Sequence, residues 1–487
     1  MSDRILVIDE GTTSTRAMLF GLDGTCYGSE ARELTQHYPC PGWVEHDADE
    51  IWRHSLACAK AMVDRAGGAE HIAAIGITNQ RETVVFWDKT TGTPLAPAIV
   101  WQDRRTAAGC RAMHGRGLEP GLQSKTGLLL DPYFSASKIA WAMVNWPEVR
   151  DAGDRLAIGT IESWLIWKLT GGLHVTDATN ASRTALMALD GGWDDELVDL
   201  FDAPRTSLPE IVDCAGPLGE TRLFGAPIPI AGVAGDQQAA AIGQCCLRPG
   251  ETKGTFGTGA FVLTHAGAAP PGSANRLLST VAWQLRGERA YALEGSVFVA
   301  GSLVQWLRDM LGLIGTAPET EALARSVEDN GGVFLVPALS GLGAPWWAPE
   351  ARGSITGLSF ATGRAHIVRA ALEAMAHQAH DLKAAFAADG ADWDVLRIDG
   401  GMVANDWMAQ DMADMLDLHV ERPVFAETTA LGAAMLAGVG CGFFADLKAA
   451  STMRGKIERF EPSLTSELRQ ARLDGWARAL ASVLSES

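Results

Sequence analysis

The 487-residue sequence predicts an α/β protein of two similar domains, with a mixed sheet in each, and three observations carry that reading. Residues 5–20 read as two apolar strands joined by a polar turn of Gly11, Thr12, Thr13 and Ser14, with Asp9 closing the first strand. Residues 251–264 repeat the design halfway along the chain, placing Gly257, Thr258 and Gly259 between extended segments. The length also exceeds what one hydrophobic core usually serves. The expected units are 1–244 and 245–487.

The turns carry the chemistry. Gly11 lets backbone come close to an anion, Thr12, Thr13 and Ser14 supply N–H and O–H donors, Arg16 adds positive charge, and Asp9 can hold a magnesium ion. A lone hairpin with a polar turn would be unremarkable. A second copy argues for a polyphosphate held between two. The P-loop alternative is not supported, because the one Gly-Lys pair, Gly455-Lys456, is followed by Ile457.

Composition narrows the partners. With 40 basic and 59 acidic residues the net charge is −19, which argues against nucleic acid or an anionic membrane surface. The eight cysteines (Cys26, Cys40, Cys58, Cys110, Cys214, Cys245, Cys246 and Cys441) form no C-x-x-C and follow no signal peptide, so free thiols and a cytoplasmic location are expected. No apolar run reaches the ~20 residues of a membrane-spanning helix.

In chain order, residues 25–35 supply a third strand, 41–47 a loop, 48–64 a helix and 72–77 a buried strand, together an α/β layer of mixed pairing. Gln80, Arg81 and Glu82 leave the carboxyl end of that strand, where open α/β sheets hold ligands. Residues 99–105 are expected to repeat the pattern, an apolar strand ending in Trp101, Asp103 and Arg105; Trp101 is either core or ligand wall. Asp131 to Ser135 is a turn into a helix, and Tyr133 in it is either structural or a hydroxyl donor.

Residues 228–235 form a small-residue strand that ends at Asp236 as a helix begins. An N-cap is the plain explanation for Asp236; Gly235 before it and the second hairpin soon after favour a catalytic role. Residues 294–311 read as an amphipathic helix bearing Gly301 and Gln305, and 367–386 as a long Ala-rich helix. His377 and His380 lie at i, i+3 on the latter with no third ligand, so zinc is not expected. Residues 396–402 are a strand running into Gly400 and Gly401, where bare backbone can face a purine. Residues 429–438 form a helix of small residues suited to close packing, and the tail after Pro462 is helical.

Taken together, Asp9 to Arg16, 41–47, 78–83, 99–105, 126–134, 235–238, 254–259 and 400–405 resemble, in order, the motifs of the FGGY sugar and polyol kinase family, its glycerol-phosphorylating members above all. That resemblance implies two actin-like (ribonuclease H-like) ATPase domains around an interdomain catalytic cleft. It also implies transfer of the ATP γ-phosphoryl group to glycerol. On it, Arg81, Glu82, Tyr133, Asp236 and Gln237 match polyol ligands, Trp101 and Phe261 an apolar wall, and Asp236 the catalytic base. Thr12, Thr13, Ser14, Arg16 and Thr258 match phosphate contacts, Gly301, Gln305, Gly401 and Asn405 nucleoside contacts, and Asp9 the group orienting Mg2+, directly or through water. A homo-oligomer, dimer or tetramer, is also implied.

The same fold serves other polyols and sugars such as erythritol, xylulose and ribulose, and ATP-driven binding proteins of the actin and Hsp70 kind share the hairpins. Arg81, Glu82, Trp101 and Phe261 argue for glycerol, and Asp236 for an enzyme. One departure is Glu10, where the family commonly carries Gln; a negative charge there should weaken nucleotide binding unless Glu10 is paired. A second concerns regulation. Members inhibited by fructose 1,6-bisphosphate carry a Gly-rich basic loop before the Asp236 strand, and members activated by a phosphocarrier protein carry a His there after a Thr. Residues 216–227 hold one Arg, one Glu and no Lys, and Arg222 stands in the histidine's place. Neither input is expected.

Overall fold

The computed structural model describes residues 3–485. Two large sheets organise it. The first uses β1 (Arg4–Glu10), β2 (Ser14–Gly21), β3 (Cys26–Glu33), β4 (Ile72–Asn79), β5 (Glu220–Thr221) and β6 (Ile228–Gly235), in the order β5-β6-β4-β1-β2-β3. The second uses β7 (Glu251–Phe256), β8 (Ala260–Gly267), β9 (Leu278–Leu285), β10 (Glu288–Val297), β11 (Val395–Asp399), β12 (Val420–Pro423) and β13 (Ile457–Phe460), in the order β9-β10-β8-β7-β11-β12-β13. Each sheet mixes an antiparallel hairpin with parallel neighbours, so the architecture is α/β with mixed sheets, as expected.

Register places the site. β1, β4 and β6 run parallel, with Glu10 opposite Asn79 and Asn79 opposite Gly235. Their carboxyl ends therefore deliver Gly11, Gln80, Arg81 and Asp236 to one edge of the sheet, the edge at which such sheets bind ligands. In the second sheet β7 and β11 are parallel, with Thr255 opposite Asp399, which sets the 257–259 turn beside Gly400 and Gly401.

Helices cover the faces. α1 (Ala48–Ala66) is capped by Asp47, whose side chain accepts the Asp49 N–H, and ends on Gly67 in the left-handed region; it buries Ile51, Cys58, Ala59 and Met62 against the first sheet. α2 (Asp236–Gly243) starts where β6 stops, α3 (Arg364–Ala388) backs the second sheet, and α4 (Thr428–Gly440) packs on the first sheet and on α2. Glycines allow that last approach. A Cβ on Gly432 would lie 1.8 Å from the Ala239 carbonyl oxygen, and one on Gly243 2.0 Å from that of Thr428. Close packing, not ligand binding, explains the small-residue helix. Because α4 lies late in the chain yet covers the first sheet, the two halves are tied through a shared core that includes Ile5, Val7, Leu431 and Leu436.

Two expectations are corrected. Residues 99–105 are not a strand: only Ala98–Ile99 pairs, and the chain then turns. The buried Asp103 carboxylate accepts the Val44 and Arg105 N–H groups, offering the backbone partners that compete with a ladder. Arg105 is held between Glu45 and Asp103 over the Trp43 ring, a structural cluster. The helix expected over 294–311 is confined to Gly301–Asp309, while Glu294 to Val297 complete β10. Val297, Val299, Leu303 and Leu307 imitate a helical period, but β10 has a strand on either side, and ladder bonds on both flanks override it.

His377 is buried and stacked on Trp476, ring centroids 5.1 Å apart. All eight cysteines are free thiols, and no helix among the described residues is long and apolar enough to cross a membrane.

Candidate active site

The first hairpin is tight: the Gly11 N–H donates to the Ser14 carbonyl at 3.0 Å, and Thr12 and Thr13 form the tip. Arg16 faces Asp9 across the strand pair, its guanidinium 2.7 Å from the Asp9 carboxylate and 2.7 Å from Glu427, which leads into α4. Asp9 is buried, and burial pushes its carboxyl above its ordinary range against the pull of Arg16.

Glu10 is fully buried and takes a hydrogen bond from the Ser55 hydroxyl at 3.1 Å. Burial pushes its carboxyl up to about 8, so at neutral pH it is mostly protonated and places little charge beside the loop. Glu10→Gln is therefore expected to leave the KM for ATP within about twofold at pH 7. Steady-state kinetics check this; a KM that falls tenfold would show an ionised Glu10 opposing the nucleotide.

Arg81 and Glu82 leave β4 into a strained loop: Glu82 has φ 62°, a left-handed conformation rare for a residue with a side chain. Ser135 fixes it by donating to the Glu82 carbonyl at 2.9 Å. Gln80 ties this loop to the first hairpin, donating to the Gly11 carbonyl at 3.0 Å and accepting from Thr83. Arg81 lies 3.2 Å from the Asp236 carboxylate through Nε. Asp236 is not the N-cap, which is Gly235; it is the first residue of α2, and its side chain is 34% exposed, open to the cleft.

Trp101, Tyr133 and Phe261 form one aromatic wall, with Trp101 5.5 Å from Tyr133 and 6.3 Å from Phe261, ring centre to ring centre. The Trp101 indole also donates to the Thr12 hydroxyl at 2.9 Å, so the wall and the first hairpin hold each other. Burial pushes the Tyr133 hydroxyl well up, keeping it a donor. Gln237 is buried beside Asp236, its carbonyl oxygen accepting from the Lys253 ammonium, which also reaches Thr255 at 2.6 Å. That contact turns the Gln237 amide N–H2 away from the lysine.

The second hairpin and its surroundings form the other wall. Gly301 donates to the Gly257 carbonyl at 2.8 Å, and Ala300 and Ser302 donate to that of Thr258. A Cβ on Gly301 would lie 2.6 Å from the Gly257 oxygen, and one on Gly400, at φ 96°, 2.5 Å from that of Phe256. A Cβ on Gly401 would meet nothing within 4 Å, so bare backbone faces open space there. Gln305 is exposed one helical turn beyond Gly301. Asn405 is engaged as a helix cap, accepting the Met408 N–H at 3.0 Å and donating to Thr320.

Sequence reasoning missed several supporting residues: Arg183 and Glu294, which join Glu82 to Arg81; Lys253; Glu427; and Thr179, whose hydroxyl accepts the Gly235 N–H at 2.9 Å just before Asp236. Apart from the Lys253–Thr255 contact, their partners lie elsewhere in the chain, and no local spacing marks them.

The donor set suits magnesium. Asp9 and Asp236 offer hard carboxylate oxygens, and among the described residues no three His, Cys, Asp or Glu side chains converge to cage a metal alone. An ion that keeps waters and takes most other ligands from substrate phosphates fits such a site.

The family model described as the FGGY family of carbohydrate kinases, N-terminal domain, matches residues 4–243, and the C-terminal domain model of the same family matches 253–441. A glycerol kinase from Rhodospirillum centenum is 52% identical over 483 residues, 98% of this chain and 97% of the relative; one from Alcanivorax borkumensis is 53% identical over 492 residues, 99% of each. Among solved structures, glycerol kinase from Plasmodium falciparum with ADP superposes with a TM-score of 0.94 at 36% identity, covering 99% of this chain and 98% of that one. Xylulose kinase from Rhodospirillum rubrum superposes at 0.88 with 25% identity, covering 98% of each chain. With the N-terminal and C-terminal models of one family matched in order over most of its length, the chain belongs to the FGGY family of carbohydrate kinases.

Proposed function

We propose that the chain transfers the γ-phosphoryl group of ATP to a terminal hydroxyl of glycerol, giving sn-glycerol 3-phosphate and ADP. The observation that carries this is the Arg81–Asp236 pair, delivered by two strands parallel to the one that opens the first hairpin, in a chain about half identical from end to end to glycerol kinases.

Arg81, Glu82, Tyr133 and Gln237 hold the three hydroxyls, and Trp101 and Phe261 cover the carbon backbone, because a selective site for a small polyol needs fixed hydrogen-bond partners and an apolar side. Asp236 takes the proton of the attacking hydroxyl as its oxygen bonds to the γ-phosphorus and the bond to ADP breaks. Thr12, Thr13, Ser14 and Arg16 receive the phosphates from one side and Thr258 from the other; Gly301, Gln305, Gly401 and Asn405 border the nucleoside. Arg16 exchanges part of its pairing with Asp9 and Glu427 for phosphate oxygens. Asp9 orients Mg2+, which when bound neutralises charge on the phosphates. The working division is 1–244 and 245–487, with closure excluding water from the transfer. A homo-oligomer, dimer or tetramer, and a cytoplasmic location complete the reading.

ADP release measured with glycerol, erythritol, xylulose and ribulose, and with no acceptor, tests the assignment. Glycerol is expected to give the highest kcat/KM, and release independent of any acceptor would turn the reading toward an ATP-driven binding protein.

Regulation follows from the loop before β6. Arg222, its one basic residue, is exposed and paired with Glu220 at 2.8 Å, which leaves no cluster for a bisphosphate. Fructose 1,6-bisphosphate is expected to leave the rate within about twofold at concentrations that inhibit responsive members. A steep, saturable loss of activity would contradict this.

A further inference from the structure

We propose that Glu294 and Arg183 are positioning residues of the polyol site: a buried carboxylate and guanidinium, the former supplied by the second sheet, that hold Arg81 and Glu82 in fixed orientation for the substrate. The proposal rests on the glycerol-phosphorylating reading above.

The contacts form one alternating row. Arg183 Nε donates to Glu82 Oε1 at 2.6 Å and its Nη2 to Glu294 Oε1 at 2.9 Å. The other Glu294 oxygen, Oε2, accepts from Arg81 Nη1 at 2.6 Å, and Arg81 Nε lies 3.2 Å from Asp236 Oδ1. The row therefore reads Glu82, Arg183, Glu294, Arg81, Asp236, and it begins and ends on residues assigned to the substrate.

Burial sets what the row is for. The side chains of Arg183 and Glu294 are 0% exposed, so neither can touch solvent. Burying such ions costs several kcal/mol each before pairing, and apolar residues of the same volume would often stabilise a core as well. Stability alone is therefore a poor reason for the pair. Orientation is a better one: a planar guanidinium fixed at two corners by different carboxylates cannot rotate, and Arg81 is fixed in this way by Glu294 and Asp236. Arg183 is fixed likewise by Glu82 and Glu294, with its guanidinium over the rings of Tyr133 and Phe134 at 5.5 and 5.4 Å. Burial alone would raise the Glu294 carboxyl, but Arg183 and Arg81 outweigh it and hold it at about 2, ionised throughout the working range.

Three carboxylates share two guanidiniums, and the Lys253 ammonium held on Gln237 is a third positive group whose field reaches both Glu294 and Asp236. Of the row only the Asp236 side chain is appreciably exposed, and it is the carboxylate by which a proton must be taken up. Removing the charge of Glu294 leaves Asp236 as the remaining carboxylate on Arg81. The guanidinium is then drawn toward the base and away from the hydroxyl it serves. Because Glu294 belongs to β10, the polyol site draws on both sheets, and its geometry depends on how they meet.

The test uses the full chain with Glu294→Gln, Arg183→Gln and the double variant. The KM for glycerol in E294Q is expected to rise ~10²-fold, as for loss of one partner of a buried hydrogen-bonded charge pair. The KM for ATP and the calorimetric Kd for ADP are expected to stay within about twofold. The double variant should lose no more than the worse single, since the two act as one unit. A merely structural role would instead lower Tm and weaken both substrates alike, and that result, an unchanged glycerol KM, or independent additive losses would each overturn the proposal. If E294Q does not fold, Glu294→Asp, which keeps the charge one methylene short of its partners, must show the same split between substrates, and its absence there overturns the proposal equally. Wild-type protein without glycerol-dependent ADP release would refute the functional reading itself; wild-type activity with an unaffected variant refutes only this inference.

Discussion

Asp236→Asn is expected to reduce turnover ~10²–10⁴-fold while leaving ATP binding nearly intact, the loss that removal of a general base produces. The substitution preserves volume, and the remaining carbonyl oxygen can still accept from Arg81 Nε and from the Gln237 N–H, which bond the carboxylate at 3.2 and 2.7 Å. What disappears is the capacity to take a proton. The backbone leading to it is fixed independently, because the Gly235 N–H is held by Thr179, whose own hydroxyl is bound by the buried Asp177. Steady-state rates and a calorimetric nucleotide titration on the same preparation separate chemistry from binding. Retained turnover would remove Asp236 from the role of base.

Arg81→Ala is expected to raise the KM for glycerol ~10²-fold or more with little change in that for ATP. Arg81 is 2% exposed at its side chain and meets Glu294, Asp236 and Gln238 rather than the Gly/Thr turns. The truncation also leaves a buried carboxylate with one partner fewer, so a stability loss of about 3–5 kcal/mol accompanies it, visible as a lower Tm. Initial rates with each substrate varied in turn decide the matter. Equal rises for both substrates would move Arg81 out of the polyol site.

Local signals carried much of this. The two hairpins were legible because the apolar runs of β1 and β2, and the extended segments of β7 and β8, bracket a turn of Gly and Thr, and all the information lies within about twenty residues. The exits of β4 and β6 were legible for a similar reason: a small or apolar strand that ends on a charge at a helix start leaves few alternatives. Arg183 and Glu294 were not legible. They are 111 residues apart in sequence, each is a single charge without periodic company, and Glu294 lies in a stretch whose apolar spacing imitates a helix. Only the pairing of β10 with a strand on each side turns Glu294 inward. Glu10 shows the limit from the other side. The sequence reports a carboxyl beside the phosphate turn but not its complete burial under Ser55, and burial decides whether the charge exists.

The chain phosphorylates glycerol with ATP. Phosphorus NMR of the wild-type protein with ATP, magnesium and glycerol tests this most directly, since it identifies the product as well as the turnover. A phosphomonoester resonance matching glycerol 3-phosphate is expected to grow in step with ADP. Growth of inorganic phosphate and ADP without that ester, or no loss of ATP when glycerol is supplied, would contradict it.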